Sequence, residues 1–116
     1  MKNGELRQKL ASGSLARNVL IVNPGTNGED YMRYSIGRVT FLLNSRPVET
    51  IIEASYEPET ITVNELLGSL LLNDTDGDVQ VFVKEWEGQQ YAYFDIGEVR
   101  EPGLVHLVLG AWRCGG

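Results

Sequence analysis

Residues 39–71 read VTFLLNSRPVETIIEASYEPETITVNELLGSLL, and the order of apolar runs and breakers in this stretch decides the fold expected of the chain. Residues 38–43 are β-branched and apolar enough for a strand. Asn44, Ser45, Arg46 and Pro47 supply turn chemistry, and residues 48–54 form a second apolar run, so the two runs predict a hairpin. Tyr56, Glu57, Pro58 and Glu59 make a loop. Thr62 and Glu65 then stand at the spacing of a capping box, in which the hydroxyl accepts from the backbone three residues on and the carboxylate reaches back. Val63, Leu66, Leu67, Leu70 and Leu71 follow at helical spacing and give one apolar stripe. Residues 73–78, NDTDGD, end that helix. Their acids look like a calcium loop, but Leu72 stands where the loop would need an oxygen ligand.

Working outward, residues 78–83 predict a third strand and residues 90–94 a fourth, with a turn at Glu87 and Gly88. Ile96 and Val99 anchor a short connection. Glu101, Pro102 and Gly103 turn the chain into a final strand over residues 104–109. Upstream, residues 3–11 predict a short helix with Leu6 and Leu10 on one face and Gly13 at its end. Residues 17–23 predict a strand and residues 23–30 a loop. The glycines of that loop lack the Lys-Ser/Thr of a phosphate-binding loop. No internal repeat and no low-complexity tract is read.

At 116 residues the chain is expected to be one domain with a modest core. It carries a hydrophobic share of 42% and a charged share of 22%, those of ordinary globular proteins. No run approaches the roughly 20 apolar residues of a membrane span, and no secretion signal is read. One cysteine and one histidine leave little for an intramolecular disulfide or an all-protein zinc site, and a cytoplasmic location is expected. Of the net charge of −6, residues 1–46 contribute +4 and residues 47–116 contribute −10. An acidic body argues against nucleic-acid binding.

The chain ends LVHLVLGAWRCGG, an apolar run followed by a short polar segment and two glycines. With the hairpin, the Glu-Pro-x-x-Thr-Ile-like link at Pro58, Thr60 and Ile61 and the helix after it, this resembles the ubiquitin-like family. The resemblance covers residues 37–116 and implies an α+β β-grasp fold, a mixed sheet with one packed helix. The domain organisation expected is an amino-terminal extension over 1–35, a β-grasp domain over 36–109 and a flexible Gly-Gly tail over 110–116.

The function implied is that of a protein modifier rather than an enzyme, in a bacterial anti-phage defence system. Gly116, preceded by Gly115, would be adenylated by an activating enzyme, carried as a thioester and joined to a target amine through an isopeptide bond. Trp112, Arg113 and Cys114 would be read by that enzyme, and Phe82, His106 and Val108 would form a partner surface. The partners implied are the activating enzyme, a conjugating enzyme, a deconjugating peptidase and the targets. No cofactor is expected on the chain, ATP being used by the activating enzyme, and no metal, nucleic acid or membrane. Two alternatives stand beside this reading: a sulfur carrier with a terminal thiocarboxylate, and a non-enzymatic phage or host binding protein.

Overall fold

The computed structural model describes residues 1–24, 30–84, 91–100 and 106–113. Of the loop expected over residues 23–30, Asn23, Pro24 and Asp30 instead belong to strands; residues 25–29 and the turns expected at Glu87 and Gly88 and at Glu101, Pro102 and Gly103 lie outside the described residues. The chain folds in the order α1 (Asn3–Ala11), β1 (Asn18–Pro24), β2 (Asp30–Leu42), β3 (Glu49–Ser55), α2 (Val63–Leu70), β4 (Val79–Lys84), β5 (Tyr91–Arg100) and β6 (His106–Arg113). The six strands close into a barrel in sequence order. Neighbours are antiparallel except at two seams, where β3 lies parallel to β4 and β6 lies parallel to β1. A parallel pair needs a crossover, and α2 supplies it between β3 and β4.

This corrects the expected β-grasp. The sheet is closed rather than an open mixed sheet, and two helices pack on it rather than one. Residues 1–35 are no appendage, because they supply α1, β1 and the start of β2. Strand β1 bonds β2 on one side and β6 on the other, so without it the sheet would have two open edges.

The barrel interior is filled by side chains. Strand β4 alternates inward Val79, Val81 and Val83 with outward residues, as a half-buried strand does. Val19 and Ile21 of β1, Tyr34 and Ile36 of β2, Ile52 of β3, Phe94 and Ile96 of β5 and Leu109 of β6 complete one cluster. Leu6 and Leu10 of α1 and Leu66 and Leu70 of α2 are fully buried in the same cluster. The helices therefore close the end of the barrel at which β1 and β4 begin. The capping box of α2 forms as the sequence requires: Glu65 N donates to Thr62 Oγ1 at 3.2 Å and Thr62 N donates to Glu65 Oε1 at 3.3 Å. Arg7 of α1 donates to the carbonyls of Leu70 and Asn73, satisfying two acceptors at the carboxy-terminal end of α2.

The two halves of the chain repeat one another, which corrects the reading of no internal repeat. Strands β1 and β2 pair through Leu20↔Ser35, Ile21↔Tyr34 and Val22↔Arg33. Strands β4 and β5 pair through Gln80↔Asp95, Val81↔Phe94 and Phe82↔Tyr93, the same register displaced by 60 residues. The parallel seams agree as well: Thr50↔Val79 in one corresponds to Leu107↔Val19 in the other. Identical residues sit mostly in the core or at bends, among them Leu6 and Leu66, Leu10 and Leu70, Val19 and Val79, Ile36 and Ile96, Gly37 and Gly97. Most other paired positions differ, which hid the repeat.

Leu6→Ala and Leu66→Ala are each expected to cost about 2–5 kcal/mol in urea unfolding, as buried leucines do. Deletion of residues 1–35 removes α1 and β1 and is expected to abolish the cooperative transition. A cooperative transition surviving in that truncated chain would return these residues to the status of an extension.

Candidate functional site

Strand β2 bends where a residue is inserted. Ile36 pairs with Ala54 and Arg38 with Glu53, leaving Gly37 as the extra residue of a β-bulge. Strand β5 repeats the device, with Gly97 between Ile96 and Glu98. A Cβ on Gly37 would lie 3.2 Å from Ser55 Cβ, so glycine allows the close approach of β2 to the end of β3. Beyond the bulge β2 pairs with β3 alone, since its ladder to β1 ends at Leu20↔Ser35.

The link between β3 and α2 takes over where that ladder stops. Ile36 N donates to Thr60 Oγ1 at 2.9 Å, and the Thr60 hydroxyl donates to Val19 O at 2.7 Å. One side chain thus bridges β2 and β1 beyond their last mutual pair. Val19 N donates to Ile61 O at 2.9 Å. The start of the link is fixed too: the Tyr56 hydroxyl donates to Lys84 O at 3.2 Å, and its ring meets Tyr34 edge-on at 5.4 Å. Between these anchors lies a solvent-open groove of about 380 Å3, lined by Ile36, Gly37, Ser55, Glu57, Glu59, Thr60 and Ile61. That volume is at the lower end of the range of about 300–1,000 Å3 for ligand clefts.

The groove is acidic and its acids are uncompensated. Glu57 and Glu59 are exposed, and neither has an ion-pair partner among the described residues. Glu53 differs, because Arg38 donates to its carboxylate, and that hydrogen bond and charge raise the Arg38 guanidinium above its ordinary pKa. The halves diverge at this site: the small Ser55 aligns with Trp112.

The residues singled out in the sequence do not converge. Cys114, Gly115 and Gly116 lie outside the described residues. Strand β6 runs on past Leu109, and Trp112 and Arg113 pair with Asp95 and Phe94 of β5. His106 and Val108 stand on β6 opposite Asn18 and Leu20 of β1. Phe82 is on β4, half-buried, with its ring 5.1 Å from Tyr93 of β5. Strand β5 lies between β4 and β6 in the barrel. Sequence reasoning missed Gly37, Ser55, Glu57, Glu59 and Thr60 as one site. The available signal was a glycine inside a strand, which marks a bulge or a close approach.

Among the described residues, no group of three His, Cys, Asp or Glu side chains could hold a metal ion. Among them no helix is long and apolar enough to cross a membrane. Comparison with protein-family models, with curated proteins and with solved structures finds no match.

Thr60→Val is expected to leave Ile36 N and Val19 O without their partner and to cost about 1–3 kcal/mol in urea unfolding. Thr60→Ser keeps the hydroxyl and is expected to retain most of the stability. A loss in Thr60→Ser with Thr60→Val unchanged would show that the methyl group, not the bridge, matters.

Proposed function

We propose that this chain is a non-enzymatic binding module whose groove beside Gly37 takes a Lys- or Arg-bearing segment of a partner protein. The observation that carries the reading is the pair Glu57 and Glu59, exposed and without an ion-pair partner among the described residues, on a cleft anchored at both ends. A cationic segment gains attraction there, and the groove is held by bonds that do not depend on a ligand. Ile61, half-buried, gives the segment apolar contact beside the charges. The barrel interior is packed with side chains, so a surface site is favoured over a ligand held inside the barrel.

The modifier and sulfur-carrier readings both stood on the β-grasp. The closed barrel removes that support, and Gly115 and Gly116, the other ground for both readings, lie outside the described residues. The binding-protein alternative does not depend on a particular fold.

The test is a titration of isotope-labelled protein with the peptide Lys-Val-Lys-Val-Lys, followed by amide shifts. Shifts are expected at Gly37, Ser55 and Thr60. Exposed ion pairs are worth about 0.2–1 kcal/mol each. Glu57→Gln with Glu59→Gln is therefore expected to weaken binding by roughly 2–30-fold. A peptide with Glu in place of Lys should produce no shift. Shifts centred on Asp74, Asp76 and Asp78, or affinity unchanged in the double variant, would move the site elsewhere.

A further inference from the structure

A set of backbone contacts that joins the two halves is reciprocal. Asn3 N donates to Gly77 O at 2.8 Å, and Val63 N donates to Arg17 O at 2.8 Å. Gly4 N donates to Thr75 O at 2.9 Å, and Asn64 N donates to Leu15 O at 2.9 Å. Val79 N donates to Met1 O and Val19 N to Ile61 O, both at 2.9 Å. The isolated bridges Lys2↔Asp78 and Asn18↔Thr62 obey the same exchange. In every case a residue of the first half meets the second half, and its counterpart 60 positions on meets the first half in the same way. This is the rule of an isologous two-fold interface, in which residue i contacts j and j contacts i. Here it operates inside one chain, across the two parallel seams and the α1–α2 contact.

We infer that the two halves recognise each other in trans, so that the first half of one chain completes a barrel with the second half of another copy. The occupant follows from the register: the surface that β1 and β3 present to β6 and β4 is matched by the same surface in any other copy. The link over residues 56–61 selects pairing within one chain by proximity; the backbone bonds of the seams and the shared leucine cluster hold the halves together. Shortening such a hinge favours exchange between copies. This inference is independent of what the groove binds.

Two experiments test it on the full chain. Deletion of Glu57, Pro58 and Glu59 shortens the link and is expected to double the particle mass in sedimentation equilibrium, with an unchanged far-ultraviolet spectrum. A folded monomer would overturn the inference. Should that variant fail to fold, a second one, with a protease site inserted between Glu57 and Pro58, is cut after folding. The halves of the cut protein are expected to co-elute as one native particle and to re-form it on dilution from urea. Halves that separate, or that cannot re-form the particle, would overturn it equally.

Discussion

The structure depends on two parallel seams, β1 against β6 and β3 against β4. Each exposed strand edge is a row of unpaired donors and acceptors, and a closed sheet is one way to remove such edges. Here closure needs both seams at once, because four antiparallel pairings make only two three-stranded sheets. Each seam joins a strand of the first half to a strand of the second. Neither half can bury its inward face alone: Ile52 of β3 needs Val81 opposite it, and Ile21 of β1 needs Leu109.

The seams explain what the helices do. A parallel neighbour has to be reached by a crossover, so α2 lies between β3 and β4. Helix α1 occupies the equivalent place ahead of β1, and together they bring Leu6, Leu10, Leu66 and Leu70 to the core. A helix as short as α1 has little stability of its own in water. Its place is fixed by Arg7 and Asn3, which donate to the carbonyl of Leu70 on α2. The link then crosses to β1, and Thr60 ties it to two strands. The groove is thus a consequence of closure: it forms where the link has to cross the bulged strand.

Most elements were legible in the sequence, but their partners were not. Local signals gave α1, the hairpin of β2 and β3, the capping box of α2 and parts of the strands that follow, although Ile96 and Val99, read as a connection, lie within β5. Periodicity says which face of a strand is apolar and nothing about which strand lies beside it. Residues 17–23 were read as a strand, yet nothing local shows that Val19 stands beside Leu107. The β-grasp reading followed from setting that strand aside as an extension. The repeat was obscured because helical and loop positions outside the buried core differ between the halves, as Lys9 against Ser69 and Gly13 against Asn73 show. The groove was illegible for a related reason, since its residues come from a bulge, a strand end and a link.

The repeat separates what the barrel requires from what it merely permits. Tyr34 and Phe94, Ile36 and Ile96, and Gly37 and Gly97 answer to the same packing and the same bend in both halves. Where the halves differ, packing does not impose the choice. Gly77 shows a local exception: a Cβ there would meet Val48 O at 2.0 Å, so a neighbouring backbone dictates glycine where the other half has Arg17. Glu57 has no such constraint. It is exposed, makes no ion pair among the described residues, and stands two residues past a strand end at which the two halves differ. Leu71 and Leu72 also depart from their counterparts Ala11 and Ser12 and are exposed, but neither lines the Gly37 groove and neither carries a charge. Divergence from the repeat, a preformed concavity and charge without an ion pair among the described residues coincide at the Gly37 groove, and that coincidence favours it over the leucines as the proposed binding site.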